Sequence, residues 1–253
     1  MLINTVILLL RDALPIFVLI SLLWTQLAFN RVWLPSSILL GLITTVLLVG
    51  QLNFIGNWFD GSGTELLMVF MHFTNYCLAL YLGYQLVKKQ RNKRFLLLTA
   101  TCMLVLTLAS KGANFTVYFS GYFRQIDALQ PMLLGLFLGL GICLSLMILI
   151  YFVTSWLDSK FNQRVSLLFI LIYTIGQFTN SLPLLVQVDV IDGSAVVWNS
   201  QNILSNQSEF GQLFNALFGY QATPSFNQLV VYIFTLCIAL SMYFFSTKQG
   251  RKR

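Results

Sequence analysis

Charge is what this sequence has least of. Asp, Glu, Lys and Arg make up 9% of its 253 residues, against about 25% in an average soluble domain. Histidine occurs once. No phosphate-binding glycine loop, zinc-type spacing of Cys and His, or nucleophile elbow occurs anywhere in the chain, and soluble enzymes build their chemistry from such motifs. The expectation is a protein that is not an enzyme and holds no resident cofactor. A haem-linked membrane reductase is disfavoured as well, because its haems need paired axial ligands, commonly histidines. The four cysteines, Cys77, Cys102, Cys143 and Cys237, fall inside apolar stretches with no close pairing. They indicate neither a disulfide framework nor a Cys-type metal site and read as small apolar packing residues.

In place of charge the chain has long apolar runs. It is 57% hydrophobic with a mean hydropathy of +0.78, and a helix of about 20 residues crosses a hydrocarbon core of roughly 30 Å. The pattern predicts an all-α polytopic membrane protein, one membrane domain over residues 1–253, with seven spans: 2–29, 35–54, 64–87, 95–122, 131–157, 165–188 and 224–246. The longest connection, 189–223, contains "FGQLFNALFGY", whose apolar spacing predicts a short helix lying on the outer surface. "MLINTVILLL" lacks the basic region that precedes the apolar stretch of a cleavable signal peptide, so the first run is expected to remain as a span.

Lys and Arg set the orientation, because cytoplasmic loops carry the positive excess. Arg31, "KKQRNKR" (88–94), "DSKFNQR" (158–164) and the tail "KQGRKR" (248–253) all fall on one side. Asp60, Glu65, Asp127, Asp189, Asp192 and Glu209 fall on the other, with Arg124 as its one basic residue. The N-terminus is therefore expected outside and the C-terminus inside. The net charge of +7 reads as topogenic, its partner the anionic lipid of the cytoplasmic leaflet rather than nucleic acid. Compact loops point to a bacterial inner membrane.

With that topology, span 1 enters from outside and span 4 from inside, so spans 1–3 and 4–6 would form an inverted repeat with the seventh span extra. Asp12 and Lys111 each lie about eleven residues from the outer end of their span, roughly 16 Å deep by helical rise, and would meet at one level. An isolated charge at a helix centre costs about 2.5–3.5 kcal/mol, so Arg11, Asp12 and Lys111 must face one another or water. They read as a functional site or as a structural ion pair. Pro15 lacks the N–H that would bond the carbonyl of Arg11. That oxygen is left for water, a cation or a side chain, unless Pro15 is simply a tolerated membrane-helix proline with a kink. Asn114 stands three residues after Lys111, Asn75 three after His72, and Asn180 three after Gln177, each pair on one helix face. His72 reads as a packing residue or as a ligand.

Three stretches resemble the oxidase-dependent ferric-iron permease family, which includes the fungal high-affinity iron permeases and the bacterial Efe-type permeases. "FGQLFNALFGYQATPSFNQLVVYIFTLCIALSMYFF" falls on the family's Phe-Gly-Tyr…Pro-Ser pattern at Gly219, Tyr220, Pro224 and Ser225. "VILLLRDALPIFVLISLL" falls on the first-helix motif Arg-Glu-Gly-Leu-Glu, and "LASKGANFTVYFSGYF" on its second copy in the fourth helix. In the family these motifs supply glutamates at i and i+3, hard oxygen ligands for iron. Carried over, the first motif is Arg11, Asp12, Ala13, Leu14 and Pro15, and the second is Ser110, Lys111, Gly112, Ala113 and Asn114. Four acids have become one, and an ammonium stands where the family has a glutamate. Glu65 falls near an acidic position of the family's third helix, at the membrane edge.

The resemblance implies iron as a transported ion, Asp12 and Glu65 as metal candidates, and an extracytoplasmic ferroxidase or iron-binding protein as partner. Three readings stay open. One is a transporter of iron or another cation using Asp12, Asn114, backbone oxygens and His72. Another is a non-transporting accessory subunit with a structural Asp12–Lys111 pair. The third is a permease with an altered substrate, a proton or an anion, exploiting Arg11 and Lys111.

Overall fold

A backbone in hydrocarbon must satisfy its own polar groups, and an isolated apolar segment does so only as a helix. The computed structural model describes residues 2–26, 33–87, 93–122, 129–161 and 165–251, with the side chains of 2, 87, 118, 120–122, 129 and 243–251 excepted. The helices are α1 (Leu2–Gln26), α2 (Trp33–Gly56), α3 (Gly63–Val87), α4 (Lys93–Tyr122), α5 (Leu129–Lys160), α6 (Val165–Thr179), α7 (Leu182–Gln187), α8 (Glu209–Phe218) and α9 (Phe226–Arg251). A single 3₁₀ turn, Trp58–Gly61, joins α2 to α3. Among the described residues the one β feature is an isolated bridge between Val196 and Ser225.

Six helical segments are long and apolar enough to cross a membrane: Ile3–Gln26, Trp33–Gly56, Gly63–Leu86, Lys93–Val117, Gln130–Lys160 and Val165–Gln187. They point to an integral membrane protein. The expected seventh span is helical as α9, but its described apolar part, Phe226–Met242, is shorter than the other six. Arg31, Lys88, Lys89, Arg91, Arg124, Asp127, Arg164, Lys252 and Arg253, on which the orientation rests in part, lie outside the described residues, as do residues 27–29 of the first expected span.

The packing is layered. α1 lies along α5 and α2 along α4, while α3 packs on α4, α6 and α9. α1 also touches α4 and α6, α2 touches α3, and α5 touches α6. Helices α1, α3, α4 and α6 form the interior, and α2 and α5 are mostly exposed on their outer faces. The interior is filled by Leu14, Leu19, Leu22, Ala100, Met103, Leu104, Ile170 and Tyr173, among others. Two notches bring the outer helices close. A Cβ on Gly41 of α2 would lie 2.5 Å from Leu108 of α4, and one on Gly139 of α5 would lie 3.0 Å from Leu9 of α1. In each case a leucine of an interior helix occupies the space left by a missing side chain.

The sixth span is broken where the sequence predicts a continuous run to 188. α6 stops at Thr179 and α7 begins at Leu182. Pro183 stands at the start of α7 and has no N–H to return to the carbonyl four residues back. The side chain of Asn180, at the break, instead bonds Asn215 at 3.2 Å and Gln221 at 2.9 Å. At the other end of α6, Asp158 accepts from the backbone N–H groups of Val165 and Ser166 at 2.8 and 3.0 Å and from the Ser166 hydroxyl at 2.5 Å. A buried carboxylate thus satisfies N–H groups that an α-helix leaves open at its start.

The segment after α7 folds back as a cap. α8 is started by Ser208, whose hydroxyl accepts from Gly211 N–H at 3.0 Å, and is ended by Gly219 at φ 72°. It is docked rather than resting on the outer surface as the sequence predicts. α8 packs on α1 and α6, Ala216 is part of the interior cluster, and the chain at Gly219 runs against Gly176 so closely that a Cβ on Gly176 would lie 2.6 Å from Gly219 backbone atoms.

Candidate functional site

Ionisable residues of the interior come near one another from three helices. Asp12 of α1 is 3% exposed, and its carboxylate is held by its chain neighbour: Arg11 Nη2 lies 3.0 Å from Oδ2 and Arg11 Nε 3.3 Å from Oδ1. The Arg11 side chain remains 54% exposed. α1 continues through Pro15 as helix, so the proline does not end it.

Lys111 of α4 is half-buried and within electrostatic reach of Asp12, Arg11 and His72. It makes no hydrogen bond or ion pair among the described residues. Asp12 therefore pairs with Arg11, and the direct contact between Asp12 and Lys111 that the sequence invites is not formed. The reason is local: Arg11 is one residue away and reaches both carboxylate oxygens without crossing between helices.

Asp12 and Lys111 each follow a leucine that packs into a glycine notch. Asp12 comes three residues after Leu9, which fills the Gly139 notch, and Lys111 comes three residues after Leu108, which fills the Gly41 notch. One turn from Lys111, Thr107 accepts a hydrogen bond from Asn75 Nδ2 of α3 at 2.8 Å. His72, three residues from Asn75, is buried and makes no hydrogen bond among the described residues. The carbonyl oxygen of the Asn75 side chain and both polar atoms of Gln177 on α6 are buried without a hydrogen-bond partner among the described residues.

Two predicted site residues stand apart from this cluster. Asn114 is exposed on α4. Glu65, in the first turn of α3, accepts from the hydroxyl of Thr64 at 2.6 Å. No group of three or more His, Cys, Asp or Glu side chains placed to hold a metal ion occurs among the described residues. A groove of about 300 Å³ lies elsewhere, between α1 and α5, and is lined by Ile20, Trp24, Met147, Phe152 and neighbours. Its apolar lining offers nothing to an ion.

Sequence reasoning missed Asp158, which it counted with a cytoplasmic loop. The signal was present: an acid seven residues before Val165, the first residue of an apolar run that begins Val-Ser, is placed to cap a helix. It singled out Gln177 only as half of a repeated spacing. No protein-family model, curated protein or solved structure matches the chain.

Proposed function

We propose that the chain is a non-enzymatic, permease-like membrane protein that moves a small ion between α1, α3, α4 and α6, with an intramembrane site altered from that of the ferric-iron permeases it resembles. The observation that carries this reading is the symmetry of the helix pairs. Exchanging α1 with α4, α2 with α5 and α3 with α6 turns α1–α5 into α4–α2, α1–α6 into α4–α3 and α2–α3 into α5–α6, and leaves α1–α4 and α3–α6 unchanged. Every one of these pairs is packed. The matched notches at Gly41 and Gly139 support the same exchange and give Asp12 and Lys111 equivalent positions.

Inverted repeats are a common construction of secondary transporters, whose sites lie near the bilayer midplane at the repeat interface. Charged residues there mark ion pathways. On this reading α9 is a seventh span, the N-terminus is outside and the C-terminus inside, and the membrane is a bacterial inner membrane.

The chemistry of the site argues against trivalent iron as cargo. Both oxygens of Asp12 are engaged by Arg11, and an ammonium 4 Å from a unit positive charge is repelled by roughly 4 kcal/mol at an effective dielectric near 20. The test is ion flux in sealed vesicles containing the purified protein, across ferrous and ferric iron, alkali cations, protons and small anions. Flux of one of these above protein-free vesicles, changed by substitution at Lys111, supports the reading. Folded protein that moves none of them favours the accessory subunit instead. That second reading has its own observation: the outer segment exposes Ile203, Phe210 and Trp198, apolar surface that a ferroxidase or other extracytoplasmic partner could cover.

A further inference from the structure

The interior charges belong to one layer of unmet polar groups, and its chemistry selects the sign of the ion. α4 and α6 run parallel and α3 antiparallel to both, so one step toward the start of α3 is one step toward the ends of α4 and α6. From the bonded pair Asn75 and Thr107, that step reaches His72, three residues back on α3, and Lys111, four residues on in α4. α6 is registered by Leu167, which lies 3.5 Å from the Cβ position of Gly83 on α3. Ten residues along each helix, about 15 Å, bring Gln177 level with Phe73, and the rings of Phe73 and Phe178 are indeed 5.4 Å apart. His72, Lys111 and Gln177 therefore share a level, with Arg11 and Asp12 within electrostatic reach of Lys111.

Each of these groups lacks what an interior polar group needs. Lys111 has no hydrogen-bond or ion-pair partner among the described residues, and neither does His72 for its ring nitrogens. The Gln177 amide has no partner at either end among the described residues. Buried polar atoms in native proteins are almost always satisfied, and a cationic side chain inside a membrane faces another charge or water. Formal charge adds to one positive: Arg11 and Lys111 against Asp12. The free donors, three on Lys111 and two on Gln177, outnumber the free acceptor oxygens, those of the Gln177 and Asn75 side chains, and with the net positive charge they point to an acceptor. We infer that this layer binds a small monovalent anion, of halide or nitrate size, with the Lys111 ammonium as its counter-charge and Gln177 as a hydrogen-bond donor. The exposed Arg11 guanidinium, which also needs water at this depth, marks the side from which the anion enters. The inference specifies the cargo of the permease proposed above and rests on that reading for transport, though not for binding.

The experiment measures two things on the detergent-purified full chain and on vesicles made from it. Thermal stability is titrated with chloride and with nitrate at constant ionic strength, gluconate replacing the anion, and anion flux is followed in the vesicles. A ligand at free concentration c that binds only the folded state raises its stability by RT ln(1 + c/Kd), so the rise begins near Kd and grows with the logarithm of concentration above it. The expected result is a stabilisation in the wild type that follows this logarithmic dependence on chloride or nitrate, with an apparent Kd raised about tenfold or more in Lys111→Met and in Gln177→Leu and little changed in Lys111→Arg, together with anion flux. Saturable binding without flux of any ion keeps the anion site and overturns the permease reading. Stabilisation absent for both anions, in a wild type that transports a cation, overturns the anion site and keeps the permease. Stabilisation that is unchanged in Lys111→Met also overturns it, because the anion then binds elsewhere.

Discussion

Arg11 grips the carboxylate of Asp12 from the preceding position of the same helix, with contacts of 3.0 and 3.3 Å to its two oxygens. Adjacent residues on a helix point in different directions, and the difference in exposure follows: Asp12 is enclosed while most of Arg11 is not. The consequence is that Lys111, on the neighbouring helix, keeps its charge uncommitted.

Removing the arginine should expose what it neutralises. Arg11→Met leaves a buried carboxylate without its hydrogen bonds and is expected to lower stability by about 1–3 kcal/mol. Arg11→Met combined with Asp12→Asn should recover most of the loss. The check is a double-mutant cycle from thermal melts in detergent; additive losses would mean the two side chains do not act as a pair.

A glycine of an interior helix and one of an outer helix should respond in opposite ways to the same change. A Cβ on Gly176 meets the backbone of Gly219, which cannot step aside, whereas a Cβ on Gly141 meets nothing within 4 Å. Gly176→Ala is expected to cost about 1–3 kcal/mol by overpacking and to loosen α8, seen as faster proteolysis in 189–223. Gly141→Ala should be neutral, or stabilising by up to about 1 kcal/mol, because alanine is the better helix former.

Asp158 ties the end of α5 to the start of α6 through three hydrogen bonds. Asp158→Ala should destabilise by about 1–3 kcal/mol. Asp158→Asn should cost less, since the amide oxygen can still accept from both backbone N–H groups. Equal losses for the two would show that the charge, and not the cap, is what matters.

The orientation can be read directly. Reporter tags at Lys93, at the start of α4, and at Asn202, in the segment before α8, should report opposite sides of the membrane. Tags reporting the same side would contradict the span arrangement, and Lys93 outside with Asn202 inside would contradict the outward N-terminus.

Much of the architecture is legible because hydrophobic run length is a strong signal. Expected spans 35–54, 64–87, 95–122 and 131–157 differ from α2 to α5 by three residues or fewer at any end. What the sequence hides depends on tertiary partners. The break at Asn180 is made by Pro183 together with side chains 35 and 41 residues away, Asn215 and Gln221, and apolar content does not reveal it. The docking of α8 depends on two glycines meeting, Gly176 and Gly219, which periodicity reads only as small residues. In the site, the convergence of Arg11, Asp12, Lys111 and His72 follows from charge in an apolar run. Which of Arg11 and Lys111 claims the carboxylate does not, because that is decided by side-chain reach.

On the permease reading Lys111 stands on a water-reached path through the bundle, and thiol accessibility measures this. In a background lacking Cys77, Cys102, Cys143 and Cys237, Lys111→Cys in intact membranes should react with a small charged methanethiosulfonate reagent added from the outer side, and a small anion should slow the reaction. A control at Gln201, exposed in the segment before α8, should react freely whether or not the anion is present. A cysteine at 111 that stays unmodified from both sides while the control reacts would contradict the claim and leave Lys111 sealed within the helices.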